Sequence, residues 1–238
     1  MTPDPDARSR GEALLEVVRV MGRLRAPDGC PWDREQDHAS LRRQLLEETH
    51  EVLEAIDSAD PDRLRDELGD LLIQVVFHSQ IAEDEGGFTV DDVARGTVEK
   101  LVRRHPHVFG DVEADTPEQV VRNWDAIKAE ERGHAREDLE DDIPPTLPAL
   151  LRAYKVQRRA AETGADAAPA GGELDAIRDA LAALEAALGA GSVEDAIGDV
   201  LFSVVALARA NDVDAESALR GAIRRFSERF RENGTSAT

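Results

Sequence analysis

Residues 60–87 read Asp-Pro-Asp-Arg-Leu-Arg-Asp-Glu-Leu-Gly-Asp-Leu-Leu-Ile-Gln-Val-Val-Phe-His-Ser-Gln-Ile-Ala-Glu-Asp-Glu-Gly-Gly. An Asp cap followed by Pro at the first helical position opens a helix, and the Gly86-Gly87 pair closes it. At about 100° per residue, Leu64, Leu68, Leu71, Leu72 and Val75 form one apolar arc. Ile73, Phe77 and Ile81 continue that arc round the other side. Glu67, Asp70 and Gln74 occupy the remaining wedge. The spacing predicts a helix from Asp60-Pro61 to about Asp84, wrapped on nearly all sides, with its acids directed into protein.

The preceding segment explains why those acids matter. A helix is predicted from about Ser40 to Asp57, with Leu41, Leu45, Val52 and Ile56 on one stripe. It carries Glu47-Glu48-Thr49-His50-Glu51. Glu48 falls beside Leu41 and Val52 on the buried edge, and Glu51 lies one turn on. The short connection Ser58-Ala59-Asp60-Pro61 makes the two helices antiparallel neighbours. Glu48 and Glu51 then face Glu67 and Asp70. Two carboxylates at ~4 Å repel by roughly 4 kcal/mol at an effective dielectric of 20. Either their pKa values rise, or divalent cations screen them. Pairs at i and i+3 share a helix face and can reach a common ion. Mg²⁺ suits clustered carboxylate oxygens and commonly accompanies a phosphate substrate. The bland alternative is a solvated acidic face.

Composition agrees with an all-α chain. Among 238 residues, 41% are apolar and only 4% aromatic, which favours helix over sheet. The formal net charge of −21 repels nucleic-acid backbones, so no nucleic-acid partner is expected. It also repels a free nucleotide, so a nucleotide site needs local bases or metal. Cys30 is the single cysteine, which excludes an intrachain disulfide. No apolar window approaches ~18 residues, so no membrane partner is expected and a cytoplasmic protein is. Leu14, Leu15, Val18, Met21 and Leu24 mark a first helix that stops before Ala26-Pro27-Asp28-Gly29. Thr89 with Asp92, and Thr116-Pro117 with Gln119, are capping signals for two more. Residues 134–146 are charged, proline-containing and aperiodic, and read as a linker between domains at 1–133 and 147–238. Further helices are predicted from about Leu147 to Thr163 and near 173–189, 193–210 and 215–231, with a loop over 165–172 and Ser192 as a cap.

The second half repeats the first. Asp70-Leu71-Leu72-Ile73-Gln74-Val75-Val76 aligns with Asp199-Val200-Leu201-Phe202-Ser203-Val204-Val205, each behind a Gly. Glu67 is replaced by Ala196, and the Glu47–Glu51 phrase by Asp179-Ala180 and Ala183. The scaffold is repeated without its carboxylates, which places the chemistry in the first half.

At these residues the chain resembles the MazG family of nucleoside triphosphate pyrophosphohydrolases, whose signature is Glu-Glu-x-x-Glu, a spacer, then Glu-x-x-Asp. Here those are Glu47, Glu48, Glu51, Glu67 and Asp70. Gly29-Cys30-Pro31-Trp32-Asp33, Arg103-Arg104-His105-Pro106-His107-Val108-Phe109 and Asn123-Trp124 with Lys128 also match, as does Leu147-Pro148-Ala149-Leu150. The resemblance implies two tandem helical modules with four-helix-bundle cores completed by a homodimer. It implies hydrolysis of a nucleoside triphosphate to monophosphate and pyrophosphate, with two or more Mg²⁺ as cofactor and Mn²⁺ as a substitute. Glu48, Glu51, Glu67 and Asp70 would be metal ligands, and Glu47 would hold or activate the attacking water. The implied role is removal of non-canonical or excess nucleotides.

Lys100, Arg103 and Arg104 fall late in their helix. They are candidate phosphate donors, although late-helix bases also complement the macrodipole. Trp32 is a candidate for stacking on a base; a lone Trp in such a turn also serves packing. His105 and His107 lack a third metal-ligating neighbour, and no activated Ser or Cys points to a covalent intermediate. The rival readings are a narrower dUTP or dCTP pyrophosphatase using the same acids, and a regulatory nucleotide-sensing module.

Overall fold

The computed structural model describes residues 5–132, 138–164, 172–188 and 193–235. Among the described residues all regular elements are helices. The chain divides into two compact units, Met1–Arg132 and Gly133–Thr238.

The first unit contains α1 (Pro5–Arg25), α2 (Pro31–Glu35), α3 (Arg42–Ser58), α4 (Pro61–Asp84), α5 (Val90–Arg104), α6 (Pro106–Phe109) and α7 (Pro117–Arg132). The predicted 60–84 helix is α4, and it is the hub: it packs against α1, α3 and α5, while α5 packs against α6 and α7. Met21, Leu41, Val76, Phe77 and Ile81 form the core, flanked by Val17, Val18 and Leu72. Local chemistry sets the helix starts. The Asp60 carboxylate accepts the N–H groups of Asp62 and Arg63. Thr89 and Asp92 close a reciprocal capping box on α5. Thr116 Oγ1 accepts the Gln119 N–H, and Gln119 Oε1 accepts that of Thr116 in return. Each satisfies N–H groups that a helix start leaves orphaned. Ala59 ends α3 in the left-handed region at φ 54°, which turns the chain sharply into α4.

Three features depart from the sequence expectations. The helix expected from Ser40 starts at Arg42, because Ser40 is held in a turn: its N–H donates to Asp37 Oδ1, and its Oγ accepts the Asp37 N–H. Two short helices, α2 and α6, stand where none was expected. Each opens on a proline and is too short to show a 3.6-residue period. Finally, the arc of α4 is not wrapped on all sides within one chain. Leu68 is 48% exposed and Val75 44%. They lie seven residues apart, on one stripe that neither α1 nor α3 covers.

The second unit contains α8 (Ala149–Thr163), α9 (Glu173–Ala187), α10 (Val193–Ala210) and α11 (Ala215–Thr235). Here α10 is the hub, packing against α8, α9 and α11 around buried Val205 and Ala196. Gln157 Nε2 of α8 donates to the Phe202 carbonyl of α10 at 2.8 Å. Arg152 pairs with Glu140 at 2.6 Å, and Arg159 donates to the carbonyls of Leu139 and Asp141. These contacts hold residues 138–143, in the stretch expected as linker, against α8. Residues 165–171 and the Ser192 cap lie outside the described residues. No described helix is long and apolar enough to cross a membrane.

Candidate active site

The α3–α4 hairpin brings one carboxylate oxygen each of Glu48, Glu67 and Asp70 within 4.8 Å of one another. Glu67 and Asp70 share a face of α4, and Glu48 meets them from α3; Glu67 is half-buried, whereas Asp70 is exposed, contrary to the expectation that both acids point into protein. Glu48 is half-buried, and its Oε2 is enclosed without a hydrogen-bond partner. Burial first, then the charges of Asp70, Glu51, Glu67 and Glu47, push its carboxyl above the ordinary range. Glu51 is exposed one turn on. Its carboxyl is raised first by the Glu67 charge, and Arg63 opposes the shift. Arg63 Nε stands 3.4 Å from Glu67, while its terminal nitrogen is engaged by Glu54 at 2.8 Å. One shared guanidinium therefore faces several carboxylates. An enclosed carboxylate oxygen with no donor is costly. A divalent cation supplies the missing partner, so the cluster could hold one.

Beside the cluster lies a cleft of about 840 Å³ whose lining includes Met21, Leu24, Trp32, Asp70, Gln74 and Phe77. Its outer wall is α2, placed by two devices. Gly29 makes the turn after α1, where a Cβ would lie 2.1 Å from the Leu24 carbonyl oxygen. Only glycine fits there. Arg25, with its side chain 9% exposed, donates to the carbonyls of Asp33 and Gln36 at 2.6 and 3.1 Å and pairs with Asp84 at 2.6 Å. Its guanidinium also lies over the Phe77 ring, 5.5 Å from the centroid. This clamp holds Trp32 edge-on to Phe77 at 6.4 Å, with half of the indole open to the cleft.

The remaining candidates are distributed unevenly. Glu47 lies outside the carboxylate cluster, paired with Arg43 at 2.8 Å. Arg103 and Arg104 both bind Glu131 of α7, at 2.7 and 2.5 Å. Those two guanidiniums hold the Glu131 carboxyl down to about 2. Lys100 is exposed on α5. His105 Nδ1 lies 2.6 Å from the Leu101 carbonyl, and its ring packs edge-on against Trp124. This is a structural use of the histidine at a helix end. Cys30 is a free, half-buried thiol.

Two features have no signal in the sequence pattern. Arg25 sits at a helix end where basic residues are routine. His38 and His78, forty positions apart, stack with Nδ1 atoms 2.9 Å apart; burial, then His38, lowers the His78 pKa.

Comparison with known proteins identifies the family. A family model described as the MazG nucleotide pyrophosphohydrolase domain matches residues 36–109, which contain α3, α4 and α5. The nucleoside triphosphate pyrophosphohydrolase/pyrophosphatase MazG of Thermotoga maritima is 46% identical over 225 residues, covering 94% of this chain and 87% of that protein. The nucleoside triphosphate pyrophosphohydrolase of Escherichia coli K12 is 45% identical, covering 91% and 85%. That of Mycobacterium tuberculosis is 40% identical over 95% of this chain, which spans 59% of its length. With relatives 45–46% identical over 85–87% of their own length, and a family model matching the helices that carry the carboxylate cluster, this chain belongs to the MazG nucleotide pyrophosphohydrolase family.

Proposed function

We propose that this protein is a Mg²⁺-dependent nucleoside triphosphate pyrophosphohydrolase that releases nucleoside monophosphate and pyrophosphate. The observation that carries the reading is the Glu48–Glu67–Asp70 cluster with its enclosed, unpartnered Glu48 oxygen. Relatives bearing that activity in their names, 45–46% identical, support the substrate class.

In this reading Glu48, Glu67 and Asp70 hold Mg²⁺, with Glu51 completing the donor set beside Glu67. Bound there, Mg²⁺ would supply positive charge to phosphate oxygens and acidify water. Glu47 orients the attacking water and takes its proton. Its partner Arg43 has a side chain 85% exposed, so the pair exchanges readily with solvent. Lys100, Arg103 and Arg104 receive the phosphates, and Glu131 occupies the two arginines until substrate displaces it. Trp32 stacks on the base. Water attacks a phosphorus in line with the departing pyrophosphate, with no covalent enzyme intermediate. The reading extends to a homodimer that covers Leu68 and Val75, a second unit auxiliary to the chemistry, and a role in clearing non-canonical nucleotides.

The test is incubation with a panel of nucleoside triphosphates and Mg²⁺, scoring monophosphate and pyrophosphate, with Glu48→Ala in parallel. The expected result is turnover in the wild type and its loss in a variant that keeps its helical signal. Turnover retained by the variant overturns the site, and no turnover in the wild type overturns the activity.

A further inference from the structure

Gln74 is polar, only 6% exposed, and lies on the hub helix of the first unit. Its Oε1 is enclosed and accepts no hydrogen bond. Leaving such an amide oxygen unpaired is costly, because burial strips its water and returns no donor. An apolar residue would fill this position at no such cost, so the amide demands a partner. Gln74 lines the cleft, and so does Asp70, four residues earlier on the same helix face. One turn of helix, about 6 Å along the axis, therefore separates the carboxylate cluster from the amide. Around the amide the cleft is apolar and aromatic: Met21 and Phe77 are buried, and the Trp32 ring is half-open. Its volume of about 840 Å³ is that of a small-molecule pocket.

From this placement we infer that Gln74 is the specificity residue that reads the nucleobase, its amide hydrogen-bonding the base edge while the Trp32 and Phe77 walls enclose the ring. The inference rests on the proposed triphosphate site, because the ligand must reach the carboxylates at its phosphate end. The chemistry of the amide defines the ligand. A carbonyl acceptor beside an N–H donor pairs with a planar edge offering a donor beside an acceptor. Such an edge is present on the natural bases and absent from sugar and phosphate. Gln74 touches neither reacting phosphorus nor water, so its loss strikes base recognition and leaves phosphate binding alone.

The experiment uses the full chain with Gln74→Leu, which keeps volume and removes both hydrogen-bonding groups, and Gln74→Glu, which keeps an acceptor and removes the donors. Three quantities are measured: kcat/KM for nucleoside triphosphates, inhibition by inorganic tripolyphosphate, and contact of phosphate-free nucleosides by saturation-transfer NMR without metal. Gln74→Leu is expected to lower kcat/KM by about 10- to 100-fold. Gln74→Glu is expected to alter the ranking of bases. Tripolyphosphate inhibition stays as in the wild type in both. Nucleoside base protons receive saturation from the wild type and lose it in Gln74→Leu. The inference is overturned if kcat/KM is unchanged, if tripolyphosphate inhibition falls in parallel, or if nucleosides contact the Leu variant as they do the wild type. The nucleoside arm needs no turnover. An inactive wild type whose nucleoside contact still depends on Gln74 refutes the proposed activity and leaves this inference standing.

Discussion

Glu48 is where the conflict between folding and chemistry concentrates. Its carboxyl is raised by burial and by four neighbouring acids. A group with a raised folded-state pKa contributes stability below its unfolded value, near 4.5, and loses it as pH rises through the folded value. The metal-free protein is therefore strained at this point at neutral pH. Glu48→Gln is expected to raise the melting temperature of the metal-free protein at pH 7, with the difference vanishing near pH 4. Mg²⁺ is expected to raise the wild-type melting temperature and leave the variant unmoved, by linkage; calorimetry across pH with and without Mg²⁺ checks both. Glu131 illustrates the opposite sign. Held down to about 2 by Arg104 and Arg103, its contribution is present above the ordinary glutamate range and lost as pH falls toward that value. Glu131→Gln frees both guanidiniums and, in the proposed phosphate role, is expected to lower KM by about 3- to 5-fold with kcat unchanged. These two glutamates also differ in legibility. Glu48 could be placed opposite Glu67 and Asp70 because periodicity and a four-residue connection fix which faces meet. The Arg103–Arg104–Glu131 contact joins helices separated by an irregular stretch, so helical period said nothing about it.

At the scale of elements, the helices with a capping signal ahead of a regular period are readable: α4, α5 and α7 start where Asp60, Thr89 and Thr116 place them. What escaped was α2, and with it the outer wall of the cleft. Five residues hold no period, and α2 owes its place to Arg25, whose acceptors include backbone carbonyls carried by any sequence. Arg25→Met keeps an apolar stem and removes the guanidinium, with its donors and its contact over the Phe77 ring. It leaves the Asp33 and Gln36 carbonyls and the Asp84 carboxylate without their guanidinium. A loss of about 2–3 kcal/mol is expected, since charge-assisted bonds of a buried guanidinium are involved and Asp84 is partly solvated. Chemical denaturation reads the stability, and quenching of indole fluorescence by acrylamide is expected to increase as Trp32 is released.

For the whole molecule, the two hub helices carry similar phrases, Asp70–Val76 and Asp199–Val205, and differ in charge. In the first unit α4 carries Glu67 and Asp70; in the second, α10 carries Ala196, now buried, and Asp199. The stripe of Leu68 and Val75 on α4 is apolar and open in a single chain, in keeping with the proposed dimer. Val75→Glu places a charge on that stripe away from the carboxylates and is expected to shift sedimentation from dimer to monomer. Among its described residues the second unit holds no group of three acidic, histidine or cysteine side chains close enough to share a cation. Its buried Gln157 donates to the Phe202 carbonyl across α8 and α10, while its Oε1 is enclosed without a partner. If its role is auxiliary, a fragment ending at Arg132 retains every group assigned to the chemistry: the carboxylates, Glu47, Trp32, Gln74 and the α5 bases all precede that point. The fragment contains the whole core cluster of Met21, Leu41, Val76, Phe77 and Ile81. Its kcat per site is expected to equal that of the full chain. A fragment that folds, by its helical signal and cooperative melting, yet turns over at under about a tenth of that rate would assign the second unit a part in catalysis, because a tenfold loss corresponds to about 1.4 kcal/mol of transition-state stabilisation.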